Sequence, residues 1–92
     1  MKDVQGRIRI LIADDHPMFR DGLRALLNSS EDFTIVGEAT NGAEAVALVR
    51  ETAADILLLD VSMPVLSGFE VLREISSLSE NVRPIMLTAG IP

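Results

Sequence analysis

Residues 10–17 of the chain, ILIADDHP, join four apolar residues to two adjacent acidic residues and a proline. An apolar run of this length is typical of a buried β-strand. Pro17 suits the first turn of a following helix, because the N–H that proline lacks would have no partner there. The stretch therefore predicts that Asp14 and Asp15 lie at the carboxyl end of a strand, just before a helix.

The same order of strand and helix repeats along the chain. Residues 8–13, 33–39, 55–60 and 83–89 have the composition of strands. An apolar stripe follows Pro17, and two capping pairs, Asn41 with Glu44 and Ser67 with Glu70, mark the starts of two more helices. Strands that alternate with helices of this size form βαβ units around a parallel sheet. The predicted fold class is α/β.

The second strand differs from the other three. Its sequence, FTIVGEA, contains Thr34 and Glu38, whereas ILIA, ILLL and IMLT are almost continuous apolar runs. Continuous apolar runs are expected where helices cover both faces of a parallel sheet. We therefore place the second strand at an edge of the sheet.

Composition limits the classes of function. The 92 residues allow one domain, residues 1–92, and the absence of cysteine excludes disulfides and thiolate metal sites. The 8 Lys and Arg against 14 Asp and Glu give a net charge of −6, which argues against direct contact with nucleic acid or anionic membranes. The opening MKDVQGR lacks the apolar core of a signal peptide, and no apolar run approaches the roughly 18 residues that span a membrane. We expect a cytoplasmic protein.

Acidic residues follow two of the predicted strands. The carboxyl ends of parallel strands meet at one edge of the sheet, so Asp14, Asp15, Asp60 and the hydroxyl of Thr88 are expected to lie together. Carboxylates packed so closely repel one another, and a hard divalent cation such as Mg²⁺ offsets this cost. This combination predicts phosphoryl transfer at a metal, in which a carboxylate can itself be the nucleophile and become an aspartyl phosphate.

Three stretches carry a resemblance to a known family. ILIADDHPMFRDGLRALL, ILLLDVSMPVLSGFEVL and PIMLTA are similar to the receiver domain of bacterial two-component response regulators, and DDHPMFRDGL resembles the NarL/FixJ subfamily. The resemblance covers essentially the whole chain. It implies a flavodoxin-like, doubly wound parallel sheet with strand order 2-1-3-4-5, in agreement with an edge position for the second strand.

The resemblance also implies a role for each residue of the site. Asp60 would be the phosphoacceptor, with Asp15 a direct Mg²⁺ ligand and Asp14 acting mainly through water. The other implied contacts are the backbone carbonyl of Ser62 to the metal, and the hydroxyl of Thr88 with the N–H of Ala89 to the phosphoryl group. Pro64 and Gly68 are expected to shape the loop after Asp60, and His16 to be a loop or cap residue rather than a metal ligand.

The implied partners are a sensor histidine kinase or a small acyl phosphate as phosphoryl donor, and a C-terminal DNA-binding output domain. Two alternatives stay open. One is a truncated or degenerate receiver that serves only for interaction or dimerisation, because the only lysine is Lys2 and the lysine that pairs with the phosphoryl group in receivers is missing. The other is a Mg²⁺-dependent phosphohydrolase, which is disfavoured because Ser62 stands where a D-x-D motif has its second acid.

Compared with a complete receiver, the chain lacks a fourth helix, a fifth strand and a fifth helix. The expected structure is therefore a sheet of four strands, in the order 2-1-3-4, with three helices. Without the missing elements, Leu57, Leu59, Ile85 and Leu87 are expected to face water. The fourth strand would also be an open edge, so we expect the chain to form a homo-oligomer.

Overall fold

The computed structural model describes residues 5–61, 63, 66–76 and 82–87. Within these ranges the elements are, in chain order, β1 (Ile8–Ala13), α1 (Pro17–Asn28), β2 (Phe33–Ala39), α2 (Gly42–Glu51), β3 (Ile56–Asp60), α3 (Gly68–Ser76) and β4 (Arg83–Leu87). These bounds follow the sequence patterns closely. β3 begins one residue later than predicted, and the last two residues predicted for the fourth strand, Thr88 and Ala89, lie outside the described residues.

The described strands form one parallel sheet in the order β2-β1-β3-β4. This order confirms the predicted flavodoxin-like arrangement and the edge position of β2. β1 and β3 are the central strands, and their carboxyl ends lie side by side because Ala13 pairs with Leu59. Both chain segments that leave this edge, after Ala13 and after Asp60, begin next to each other.

The predicted capping pairs start α2 and α3. The Asn41 side chain accepts a hydrogen bond from the backbone N–H of Glu44 at 2.9 Å. Ser67 and Glu70 cap reciprocally: the Ser67 N–H donates to the Glu70 carboxylate at 2.9 Å, and the Glu70 N–H donates to the Ser67 hydroxyl at 3.3 Å. Each pair satisfies N–H groups that have no partner within the helix.

One face of the sheet carries the main core. The apolar residues that α2 and α3 enclose against it include Leu11, Val46, Leu57, Leu59, Val71 and Ile75. Leu57 and Leu59 are fully buried, at 0% exposure, so the prediction that they face water was wrong. They alternate onto the face that α2 and α3 already cover, and their burial needs no further helix.

The opposite face, toward α1, is covered less completely. Ile10 and Ile12 are buried there, yet none of the described residues of α1 is buried, and Leu26 is 67% exposed. Ile85 of β4 lies on this same side of the sheet and is 42% exposed, as predicted, while Leu87 is half-buried. Within the described ranges, no helix combines the length and apolar character needed to span a membrane.

β2 contains a register shift against β1. Ile10 pairs with Ile35, but the next residue, Leu11, pairs with Gly37, so Val36 is an extra residue in β2. Because side chains alternate between faces along a strand, one extra residue exchanges the faces of everything after it. Glu38, opposite Ile12, therefore lies on the α1 side.

The two environments of leucine give a direct test of this packing. We expect Leu57→Ala to lower the free energy of unfolding by about 2–5 kcal/mol, because it removes buried methyl groups and leaves a cavity. Leu26→Ala is the matched control, and at an exposed position it should change stability by less than about 0.5 kcal/mol. Urea denaturation measures both, and equal effects of the two substitutions would contradict the buried position of Leu57.

Candidate functional site

Three carboxylates meet where the chain leaves the two central strands. Asp14 directly follows β1 and Asp60 is the last residue of β3. One ligand atom from each of Asp14, Asp15, His16 and Asp60 can be chosen so that all lie within 4.8 Å of one another. The predicted meeting of the three acids at one sheet edge is therefore observed.

Asp14 is the most firmly held of the three acids. It is 2% exposed, and its N–H donates to the carbonyl of Ala39, at the end of β2, at 3.0 Å. Its Oδ1 accepts a hydrogen bond from the backbone N–H of His16 at 2.8 Å. Asp60 is also buried, at 6% exposure, whereas the side chain of Asp15 is 32% exposed. Asp15 is thus the carboxylate of the three most accessible to solvent.

His16 immediately precedes α1, as expected of a cap residue, but its side chain does not cap the helix. Its Nδ1 lies 2.9 Å from Oδ1 of Asp14, 3.1 Å from Oδ1 of Asp15 and 3.6 Å from Oδ2 of Asp60. The hydrogen bond to Asp14 and then the negative charge of Asp15 raise the pKa of His16 above its ordinary 6.5. Sequence reasoning missed this contact, although the position of His16 directly after the two acids was a signal for it.

Gly68 brings the start of α3 against the end of β3. Its N–H donates to the carbonyl of Val61 at 3.1 Å. A Cβ at this position would lie 2.6 Å from the carbonyl oxygen of Asp60 and 2.8 Å from Cα of Val61. Any side chain here would push the helix away from the backbone of Asp60, so the glycine lets the helix approach this acid.

The other predicted site residues are not in the described part of the chain. Ser62 and Pro64 belong to the loop after Asp60, and Thr88 and Ala89 follow β4. Their roles in binding metal or phosphate, and in shaping the loop, stay predictions.

The donor set suits a hard cation. The site offers carboxylate oxygens from three residues at one place, and Mg²⁺ prefers oxygen ligands and binds through few carboxylates while it keeps several waters. Asp14, Asp15 and Asp60 would hold such an ion. His16 adds one nitrogen at the same place, and its side chain is 67% exposed, so it can turn toward solvent.

Comparison with known proteins gives one consistent family. The response regulator receiver domain family matches residues 10–91. The response regulator UvrY of Escherichia coli is 41% identical over 81 residues, which are 88% of this chain and 37% of that protein. A Bacillus subtilis protein named as the uncharacterized transcriptional regulatory protein YxjL is 40% identical over 82 residues, 89% of this chain and 38% of its own length.

Solved structures agree with the sequence relatives. The signal receiver domain of the putative response regulator NarL from Mycobacterium tuberculosis superposes with a TM-score of 0.88 and 34% identity, covering 94% of this chain and 69% of that one. The chain thus spans about two fifths of the length of the curated relatives it matches, 38% and 37% in the two cases given.

The surroundings of His16 predict its titration. In metal-free protein we expect the pKa of this single histidine to lie above 6.5, because the neighbouring carboxylates favour the imidazolium. The stabilisation is then fully present below the unfolded pKa, and is lost as the pH rises through the raised folded pKa. NMR of the imidazole signals in the presence of a chelator measures it.

Two aspartate variants test whether Asp15 itself, rather than the net charge of the protein, raises the pKa of His16. Asp15→Asn should lower the pKa of His16, whereas Asp21→Asn, which removes an exposed acid whose recorded contact is with Arg24, should leave it unchanged. A pKa at or below 6.5 in the unaltered chain would contradict the observed contacts of the imidazole.

Proposed function

The chain belongs to the response regulator receiver domain family of two-component signalling proteins, and we propose that Asp60 accepts a phosphoryl group in a Mg²⁺-dependent reaction. The observation that carries this proposal is the position of the Asp60 carboxylate at the end of β3, within 4.8 Å of the carboxylates of Asp14 and Asp15. The family is one of signalling domains, and the reaction uses the protein itself as the acceptor.

In the proposed step an oxygen of Asp60 attacks phosphorus. With a phosphohistidine of a sensor kinase as donor, a P–O bond to Asp60 forms, the P–N bond breaks, and the released imidazole nitrogen takes up a proton. With a small acyl phosphate, the P–O bond to the acyl group breaks and a carboxylate leaves. A bound Mg²⁺ supplies positive charge that neutralises the phosphoryl oxygens.

The residues of the chain have separate tasks in this step. Burial of Asp60 limits access of water to the acceptor, whose side chain is 9% exposed. As the resemblance to receiver domains implies, Asp15 would bind the metal directly and Asp14 would act mainly through water. The carbonyl of Ser62 is proposed as a further metal ligand, and Thr88 with the N–H of Ala89 as donors to the phosphoryl group.

The modified domain would then control an output. Two of the relatives are named as transcriptional regulators, and the chain covers only about two fifths of their length. We therefore propose a DNA-binding output domain as the target of the signal, a sensor histidine kinase as the usual donor, and the cytoplasm as the location. The net charge of −6 is consistent with the absence of direct contact between this chain and DNA.

A second candidate is self-association of the receiver. Among the described strands β4 is outermost on its side, and Ile85, Pro84 and Arg83 are exposed there. The backbone groups of an edge strand can pair with a second copy of the chain, which would also cover Ile85. The proposed partner is a second copy of the chain. Self-association would accompany phosphorylation, or it would be the remaining function of a receiver that cannot be phosphorylated.

Intact mass measurement tests the acceptor. After incubation with acetyl phosphate and Mg²⁺ we expect a mass gain of one phosphoryl group on the unaltered chain. The reaction should be slow, because the only lysine, Lys2, precedes β1. Asp60→Asn should abolish the gain, and Asp55→Asn, which changes the residue before β3, is the matched control.

Two results would count against the acceptor. A mass gain that survives Asp60→Asn would overturn the assignment of Asp60. No gain in the unaltered chain, under conditions in which Mg²⁺ binds, would favour the interaction module instead.

Light scattering tests self-association. We expect an assembly larger than the 10.0 kDa monomer, and Ile85→Asp should shift the equilibrium toward monomer because it places a charge on the proposed contact. Leu26→Asp, which alters an exposed leucine of α1, is the control. A monomer at all concentrations, with unfolding independent of concentration, would exclude pairing through β4.

A further inference from the structure

Arg20 connects the acidic site to the edge strand β2. It lies in the first turn of α1 and its side chain is only 17% exposed. Its Nη1 donates to the backbone carbonyl of Asp14 at 2.9 Å, and its Nε donates to Oε1 of Glu38 at 3.1 Å. One guanidinium therefore holds both the loop that carries the acids and the strand beside it.

Glu38 is itself held in place from the other side. Arg24, one helical turn after Arg20, donates from Nη1 to both oxygens of Glu38 at 2.8 Å. Arg24 also donates to Asp21 at 2.5 Å. Neither described contact of Arg24 reaches the acidic site, so the two arginines share Glu38 while Arg20 alone extends to Asp14.

The contact of Arg20 completes the backbone anchoring of Asp14. The N–H of Asp14 donates to Ala39, at the end of β2, so Arg20 binds the remaining backbone group of this residue. The peptide unit between Asp14 and Asp15 is planar. Fixing the direction of the Asp14 carbonyl therefore also fixes the direction in which the chain enters Asp15.

We propose that Arg20 is a positioning residue of the metal site: by holding the Asp14 carbonyl against Glu38, it orients Asp15 for binding of Mg²⁺. This inference rests on the proposed function, because it presumes that the three acids bind the metal. Groups that orient metal ligands from behind typically contribute a factor of about 10–100 to metal affinity. Arg20 acts through Asp14 and does not touch the metal.

An electrostatic role and a positioning role of Arg20 predict opposite effects on Mg²⁺ affinity when this residue is replaced. Arg20 brings a positive charge next to a cation site, so a purely electrostatic role means that its removal strengthens Mg²⁺ binding. A positioning role means that its removal weakens binding. The sign of the change therefore separates the two.

The experiment is a Mg²⁺ titration of the full chain followed by amide NMR, with the signals of Asp14, Asp15 and Asp60 as reporters. We expect Arg20→Gln to raise the dissociation constant for Mg²⁺ about 10-fold. Arg20→Lys keeps the charge but lacks the planar fork that binds Glu38 and the carbonyl together, so it should weaken binding too. Arg24→Gln is the matched control, since it removes a charge and a contact to Glu38 without touching Asp14, and binding should be unchanged or slightly tighter.

Circular dichroism and urea unfolding of each variant show whether it is folded at the temperature of the titration. A dissociation constant equal to that of the unaltered chain, or a tighter one, in folded Arg20→Gln would overturn the positioning role and leave the metal site intact. Equal weakening in Arg24→Gln would also overturn it, because loss of Glu38 anchoring alone would then explain the effect. No response of the unaltered chain to Mg²⁺ would instead overturn the proposed metal site, and this inference with it.

Discussion

Mutual repulsion of three carboxylates at one edge of the sheet is the constraint around which this structure is arranged. Parallel pairing of β1 with β3 brings Asp14 and Asp60 together, and Asp15 follows in the same turn. Contacts within the fold keep these three acids together despite their repulsion. His16 donates its backbone N–H to Asp14 and places its imidazole over the acids, so the energetic cost of the cluster is offset locally as well as by the core.

The two faces of the sheet contribute differently to keeping the three carboxylates together. The α2 and α3 face contains the close-packed core, with Leu11, Leu57 and Leu59 fully buried, and it holds β1 and β3 in fixed register. The α1 face has fewer buried residues, and its main polar contact is the arrangement of Arg20, Arg24 and Glu38. Apolar packing therefore fixes the strands, while hydrogen bonds fix the turn that leaves β1.

Much of this arrangement could be predicted from local patterns. Hydrophobic runs located the strands, and the caps at Asn41 and Ser67 located α2 and α3. The rule that the carboxyl ends of parallel strands converge brought the acids together. The prediction that Leu57 and Leu59 face water was wrong, because alternation along a strand shows that there are two faces but not which helices cover each.

The contacts of His16 and Arg20 depend on finer detail. The imidazole of His16 lies against Asp14 and Asp15 rather than against α1, and this direction depends on the torsion angles of a single side chain. The reach of Arg20 to Glu38 depends on which face of β2 the glutamate occupies, and regular alternation from Phe33 would have placed it on the other face. Gly37 in the stretch FTIVGEA is a signal for such an irregularity, because an isolated glycine inside a strand often accompanies a bulge, but it does not fix where the register shifts.

The extra residue in β2 also constrains how this strand can change in length. Before Val36 the odd-numbered residues of β2 lie on the α1 side of the sheet, whereas after it the even-numbered residues do. The strand therefore consists of two short segments with opposite alternation. Deleting Val36 would remove the irregularity while both segments keep their observed pairing with β1, so Glu38 would stay on the α1 side and Ala39 on the core side. A β2 that kept Val36 but paired regularly with β1 would instead be shifted by one residue after Ile35, and Glu38 would face the apolar core without its hydrogen bonds to Arg20 and Arg24.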